Sequence, residues 1–132
     1  MCLLDEVLEW DADRIRCRTG SHRAADHPLR AHGRLGAACG IEYAAQSMAI
    51  HAALCAGAAS AAAGRSAAGR LASARAVTLH VARLDDLASD LLVTAQRQGE
   101  QSAVALYRFS LATLEEPVRL LIEGRATVVL RA

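Results

Sequence analysis

The sequence has 132 residues and a formal net charge of +1 at pH 7. This length allows one domain with a sizeable core but not two, so we expect a single domain over residues 1–132. All fifteen basic residues are arginine, and they are scattered among acidic residues rather than striped along one predicted face. Nothing in this charge pattern indicates a nucleic-acid partner.

The four cysteines lack the CxxC or CxxH spacing of a zinc site. We identify no signal peptide, and therefore expect free thiols, no metal site and a cytoplasmic location. The longest apolar run, residues 52–64, contains mainly alanine and glycine. It is too short and too weakly hydrophobic to cross a bilayer, so no membrane span is expected.

The N-terminal third is predicted to contain a β-hairpin followed by a long loop. Residues 1–10 read as one strand, and residues 14–19 alternate arginine with small or apolar residues, the period-two pattern of a second strand. Residues 20–36 are rich in Gly, Ser, His and Asp and contain Pro28. Loops of this length inside compact domains are usually functional or mobile.

Residues 36–54 are predicted to form one central helix that ends near Gly57. Apolar or small residues recur at helical spacing, and the opposite face is mostly alanine, so the helix should be enclosed on nearly all sides. The low-complexity residues 58–73 could continue the helix in a frayed form, but their glycine and serine breaks favour a loop with helical turns.

Four further strands are predicted over residues 75–83, 91–97, 102–111 and 120–130, separated by turn signals. Two strands, one helix and four strands make an α+β domain, with one antiparallel sheet wrapped around a single long apolar helix.

Glu42 stands in the first turns of the predicted helix among apolar and small neighbours. A buried carboxylate there should have a raised pKa or a partner, and Gln46, four residues on, can hold it by a hydrogen bond. His22, His27 and His32 lie just upstream. A carboxyl group near imidazoles can move protons. The alternative is a solvated first-turn glutamate that gains from the helix dipole, with the three histidines exposed and idle.

The order of elements, with an acid-bearing helix after a histidine loop, resembles the hotdog fold of the 3-hydroxyacyl-acyl-carrier-protein dehydratases. The closer resemblance is to the dehydratase-like proteins of aryl polyene and xanthomonadin-type pigment clusters. It extends over nearly the whole chain. The segments that carry it are Met1-Cys2-Leu3-Leu4-Asp5, Val7-Leu8, His27-Pro28-Leu29-Arg30, Gly33-Arg34-Leu35, Gly40-Ile41-Glu42-Tyr43-Ala44-Ala45-Gln46, His51 and Gly124-Arg125-Ala126-Thr127-Val128-Val129-Leu130.

The resemblance implies dehydration of a 3-hydroxyacyl thioester to the trans-2-enoyl form, without a cofactor. A loop histidine removes the α-proton, Glu42 helps the hydroxyl leave as water, and backbone N–H groups at the helix N-terminus polarise the thioester carbonyl. His27 lies fifteen residues before Glu42, close to the family separation, and His22 could also reach in. Substrate-binding roles fall on His32, which an alternative alignment places nearest the family histidine, and on Gly36, Ala37 and Gln46.

The implied partners are an acyl carrier protein that carries the substrate and a second hotdog subunit, in a homodimer or in a heterodimer with a sister dehydratase. The loop is shorter than in fatty-acid dehydratases, and Gly36 stands where a proline commonly precedes the helix. Relatives also carry a further N-terminal segment before Met1. These departures keep two alternatives open: a non-catalytic partner subunit, and a thioesterase on the same fold. His51 and His80 are assigned structural roles.

Overall fold

The structure is a computed structural model that describes residues 2–63, 68–101 and 103–131. The chain forms two strands, a long helix and four more strands, in the predicted order. A short 3₁₀ turn lies at Ser21–Arg23, and another at Ala37–Cys39 leads into the helix. The strands and the helix are β1 Glu6–Trp10, β2 Arg14–Thr19, α1 Gly40–Ala63, β3 Ala68–Leu79, β4 Leu91–Gln101, β5 Val104–Thr113 and β6 Leu120–Arg131.

The six strands form one antiparallel sheet in the order β1-β2-β4-β5-β6-β3. Side chains alternate between the two faces, as the period of a strand requires. On β5, Tyr107 and Phe109 are buried against α1, whereas Arg108 between them is exposed on the opposite, outer face. The core therefore lies between α1 and the inner face of the sheet, as predicted.

The helix is longer than the sequence pattern predicted. It continues past Gly57 to Ala63, and the prediction of a loop over residues 58–73 is wrong where the structure describes it, since β3 begins at Ala68. Residues 64–67 of that prediction lie outside the described residues. The reason is propensity: one glycine costs about 1 kcal/mol relative to alanine, which the surrounding alanines can offset.

The expectation that α1 is enclosed on nearly all sides is also wrong. Residues at spacings of three and four, from Tyr43 to Ala52, are buried, whereas Glu42 and Ala53 are exposed. The sheet covers only one face of the helix, and the alanines on the open face reflect helix propensity rather than burial. In the described part of the chain, no helix is long and apolar enough to cross a membrane.

Close packing fixes the position of the helix N-terminus. A Cβ on Gly40 would collide with the side chain of Ile122 on β6 and would lie 3.1 Å from that of Leu111 on β5. Only glycine allows this approach of backbone to sheet. The loop that carries the histidines is thereby brought to the edge of the core at the start of α1.

Candidate active site

The three loop histidines lie in different surroundings and do not form one cluster. His22 is buried in the 3₁₀ turn Ser21–Arg23, and His27 is buried at 5% exposure. His32 is exposed at the tip of a turn closed by the backbone of Ala31 and Arg34, where it adopts a φ of 54°. The loop therefore places His32 at the surface, away from the two buried rings.

His27 is joined to the start of α1 by a chain of hydrogen bonds. Its Nε2 lies 2.9 Å from Oη of Tyr43, and Oη lies 2.8 Å from Oγ of Ser21. Ser21 in turn donates to the carbonyl oxygen of Leu3 at 2.7 Å, which Thr19 also contacts, at 2.5 Å. The chain therefore links the histidine loop, α1, the end of β2 and the N-terminal segment.

The direction of these bonds fixes the tautomer of His27. The backbone N–H of Leu29 donates to Nδ1 at 3.0 Å, so the proton of the neutral ring sits on Nε2 and is donated to Tyr43. Burial, followed by the nearby charge of Arg30, lowers the pKa of His27 and keeps the ring neutral. Both ring nitrogens are engaged within the fold, so neither offers a free lone pair to a substrate.

His22 is held in a similar neutral state. Its Nε2 donates to the carbonyl oxygen of Leu87 at 3.0 Å, whereas Nδ1 is buried without a hydrogen-bond partner among the described residues. The nearby carbonyls favour the protonated ring, but burial outweighs them and lowers its pKa. Because the side chain is fully buried, His22 fastens the loop to the segment between β3 and β4.

Glu42 is exposed, so the expectation of a buried carboxylate is wrong. It stands in the first turn of α1, on the face that the sheet leaves open. The predicted contact with Gln46 is present, at 3.5 Å from Nε2 to Oε1, and Gln46 also accepts the Leu3 N–H at 2.8 Å. The structure thus presents a carboxylate to the outside at the N-terminal end of the helix, where a negative charge is favourable.

The backbone before α1 is held by the segment after β3. Gly36 has extended backbone with φ −64° and ψ 150°, and it bridges Arg83. Ala37 is buried, and its N–H donates to the carbonyl oxygen of Ala82 at 3.0 Å. In this chain the Ala37 N–H is therefore engaged by the fold, and a substrate-binding role at Gly36 or Ala37 stays a prediction.

The carboxylate of Asp85 anchors the same region, a role that sequence reasoning missed. It accepts the Leu35 N–H at 2.8 Å, is paired with Arg83, and lies 3.7 Å from Arg30. The hydrogen bond from Arg83, followed by the one from Leu35, holds the pKa of Asp85 well below its usual range. In the sequence, Asp85 and Asp86 look like an ordinary turn, and neither arginine contact is visible there.

His51 and His80 lie away from this region, as predicted. His51 is buried, with Nε2 donating to the carbonyl oxygen of Asp11 at 2.7 Å and Nδ1 accepting from Tyr107 at 2.6 Å. His80 is exposed and lies 2.9 Å from Glu123. Within residues 2–63, 68–101 and 103–131, no three His, Cys, Asp or Glu side chains come together as a metal site would require.

A protein-family model, the ApeP-like model described as ApeP dehydratase, matches residues 1–131. The chain belongs to the ApeP-like dehydratase family. The resemblance drawn from the sequence is thereby confirmed. A search of curated proteins gave no match.

Several solved structures share the fold of this ApeP-like chain. The dehydratase heterocomplex ApeI:P from Xenorhabdus doucetiae aligns with a TM-score of 0.75 and 19% identity, covering 99% of this chain and 84% of that one. AziG from S. sahachiroi aligns with a TM-score of 0.68 and 16% identity, covering 96% of this chain and 91% of AziG. A thioesterase family protein from Silicibacter pomeroyi aligns with a TM-score of 0.66 and 12% identity, covering 95% of this chain and 82% of that protein. The predicted hotdog fold is confirmed.

Sequence reasoning also missed Tyr43 in this ApeP-like site. Tyr43, Ser47 and His51 follow one another at spacings of four in a segment rich in alanine. All three are buried on the sheet side of α1, where each finds a hydrogen-bond partner. Polar residues on one helical row can therefore mark a buried face when each of them is satisfied. That row, rather than the alanines, indicated which side of α1 faces the sheet.

Proposed function

We propose that this chain takes part in the dehydration of a 3-hydroxyacyl thioester, carried on an acyl carrier protein, to the trans-2-enoyl thioester. The observation that carries the proposal is the match of the ApeP dehydratase model over residues 1–131. The exposed carboxyl group of Glu42, at the start of α1, supports it.

The proposed reaction is an elimination in which Glu42 acts as the general acid. A base takes the proton from the carbon next to the thioester carbonyl, and the electron pair left behind forms the new carbon–carbon double bond. The hydroxyl group on the next carbon leaves with the proton of Glu42 as water. The carboxyl group of Glu42 is exposed in the first turn of α1, where a substrate oxygen can approach it.

We propose that the base comes from a second subunit. Both ring nitrogens of His27 are engaged by Tyr43 and by the Leu29 N–H, and His22 is fully buried. Within the described residues, the histidine–carboxylate pair that forms is His80 with Glu123, on the surface. The similar Xenorhabdus doucetiae structure is a dehydratase heterocomplex. We infer that this chain, too, works with a sister dehydratase.

The edge of β3 is our candidate for that contact. Both β1 and β3 lie at an edge of the sheet, but β1 has five residues and β3 has twelve. On β1, Glu6 and Glu9 form ion pairs with β2, and the register is interrupted between Val7 and Glu9. Charges, short length and bulges protect an edge from pairing. Strand β3 has two register shifts of its own, between Leu71 and Ser73 and between Arg75 and Thr78. Its greater length is therefore what makes β3 our candidate for pairing with another sheet.

A specific observation also favours the second candidate function, a non-catalytic partner subunit. Both ring nitrogens of the neutral His27 form hydrogen bonds that join the loop to α1, so the ring has a structural role and does not act as a base. Such a subunit would preserve the fold and support the sister dehydratase, which would supply both acid and base.

The test is incubation with a 3-hydroxyacyl carrier protein of this chain alone, of its sister dehydratase alone, and of the pair. Intact mass spectrometry of the carrier protein measures the loss of one water molecule. We expect dehydration by the pair, and we expect Glu42→Gln to lower its rate by about 10²-fold or more. Glu115→Gln, a change at an exposed glutamate in the turn between β5 and β6, is the matched control and should leave the rate unchanged.

Each other outcome selects a different function. A pair whose rate does not respond to Glu42→Gln, yet exceeds that of the sister enzyme alone, would make this chain a non-catalytic partner. Release of a free acid with the carrier thiol would identify a thioesterase. Full activity of this chain alone would contradict the proposed sister dehydratase.

A further inference from the structure

The outer face of the sheet, opposite α1, carries an open groove of about 520 Å³. Its lining includes side chains from three neighbouring strands: Gln96 of β4, Arg108 and Ser110 of β5, and Glu123 and Arg125 of β6. These residues alternate along the strands with the buried residues that face α1. The groove therefore lies on the other side of the sheet from Glu42 and the histidine loop.

Strand register aligns arginines across this groove. Arg108 is directly opposite Arg125, and Arg125 is directly opposite Arg75 on β3. Neighbouring strands are about 4.8 Å apart, so the three arginines occupy a row about 10 Å long. In the sequence these residues are far apart, which is why the scattered pattern gave no sign of the row.

Among the described residues, these arginines lack the carboxylate partners that several other strand arginines have. On β2, for example, Arg16 pairs with Glu9 at 3.3 Å and Arg18 with Asp90 at 2.9 Å. Within the described ranges, by contrast, no ion pair involves Arg75, Arg108 or Arg125. Like charges directly opposite each other in a sheet are destabilising, so the row does not serve the stability of the fold.

The other charged groups near the groove leave the row positive. Glu123, on the same face of β6, contributes one negative charge against the three arginines and lies 2.9 Å from His80. Arg14, opposite Gln96 in the register, is paired with Glu9 at 3.2 Å. Arg108 and Arg125 thus line the groove without an ion-pair partner in the part of the chain that the structure describes, and the amide of Gln96 and the hydroxyl of Ser110 are further hydrogen-bond donors beside them.

We propose that this groove binds the phosphate group of a small molecule. Two guanidinium groups on adjacent strands can each give two parallel hydrogen bonds to phosphate oxygens, and the bound anion would remove the repulsion between them. A groove of this volume accommodates a small ligand rather than a protein surface. The site is separate from the proposed dehydration, and a failure of one leaves the other intact.

The test is an isothermal titration calorimetry experiment, in which pyrophosphate is added to the folded protein at physiological ionic strength. We expect saturable binding, weakened about tenfold or more by Arg108→Gln and by Arg125→Gln, because each removes charge-assisted hydrogen bonds. Arg108→Lys preserves the charge but loses the planar fork, and should weaken binding too. Arg34→Gln removes the same charge from an exposed position in the histidine loop and is the matched control.

Three results would overturn the proposal: no saturable binding, equal loss of affinity in Arg34→Gln, or binding of a long polyanion such as heparin but not of pyrophosphate. The last would indicate a macromolecular surface instead. Circular dichroism of each variant confirms folding, which we expect because all the substituted side chains are exposed.

Discussion

Nε2 of His27 lies 2.9 Å from Oη of Tyr43, and the two ring centroids are 6.0 Å apart. This contact joins the loop before α1 to the first full turn of the helix, across sixteen residues of sequence. Because Tyr43 also contacts Ser21, its hydroxyl group is shared by two parts of the loop. The structure of the histidine loop thus depends on one buried phenol.

Replacement Tyr43→Phe should destabilise the fold by about 1–3 kcal/mol, since it leaves the buried Nε2–H of His27 without an acceptor. The free energy of unfolding, measured by urea denaturation, checks this. In a double-mutant cycle with Ser21→Ala, we expect a coupling energy of about 0.5–3 kcal/mol, because the two hydroxyl groups touch. A change below about 0.5 kcal/mol for Tyr43→Phe would show that the hydrogen-bond chain does not hold the loop.

The buried histidines make stability depend on pH. Burial, the largest effect at each ring, lowers the pKa of His22, His27 and His51 below the ordinary value of 6.5. In the unfolded chain these rings take up protons as the pH falls through about 6.5, whereas in the folded chain they resist protonation. Stability is therefore fully present above pH 6.5 and decreases as the pH falls below it.

The urea midpoint should accordingly decrease steadily between pH 7 and pH 5, and His51→Gln should flatten that slope. Hydrogen bonds from arginines lower the pKa values of Asp85 and Asp90 below the ordinary aspartate value of 3.8. The stability that these two carboxylates contribute is therefore lost only as the pH falls below 3.8. A midpoint that stays constant or rises on acidification to pH 5 would contradict the assignment of neutral buried rings.

Most of the fold followed from the sequence because local patterns specify it. Residues 14–19 alternate in polarity, and β2 has those bounds. The last four strands were predicted in the right order, but the strand predicted to end at residue 97 continues to Gln101, so the turn expected after residue 97 lies within β4. The end of α1, residues 58–63, was missed because alanine, glycine and serine make a weak pattern that is compatible with helix or loop. The alanines around Gly57 offset its cost, and the helix continues to Ala63.

The candidate site was less accessible to sequence reasoning, since its contacts are long-range. Glu42 and Gln46 were identified by local spacing, and their contact is present. Whether Glu42 is buried depends on which face of α1 the sheet covers. The alanines do not identify that face, because alanine occurs on both the buried and the open face of the helix. The anchoring of Leu35 by Asp85 spans fifty residues and leaves no periodic trace in the chain.

Replacement Gly36→Pro should stabilise the protein by about 0.4–1 kcal/mol. Gly36 already has a φ of −64°, a Cβ there would meet nothing within 4 Å, and among the described residues its N–H donates no backbone hydrogen bond. Proline fits such a position and restricts the unfolded chain. Thermal denaturation gives the comparison. Gly33→Pro is the control and should destabilise, because Gly33 has a φ of 75°.

If β3 pairs with the sister subunit, Leu79→Lys should weaken the complex. Leu79 is 46% exposed at the end of this edge strand, and a lysine there discourages strand pairing. We expect at least a tenfold rise in Kd, about 1.4 kcal/mol, with a change in stability of the isolated chain within about 0.5 kcal/mol. Val118→Lys, a change at an exposed apolar residue in the turn between β5 and β6, should leave Kd unchanged.

The single tryptophan can tell the two sheet edges apart. Trp10 is 47% exposed on β1, at the opposite edge of the sheet from β3. If the partner docks on β3, Trp10 remains in water, and its emission maximum should not move on complex formation. The spectrum of the complex with Trp10→Phe is subtracted to remove the partner's own emission. A blue shift of the difference spectrum would place the contact on β1. A partner that covers this edge would bury the exposed Trp10 and Leu8 together, and the indole would then leave water.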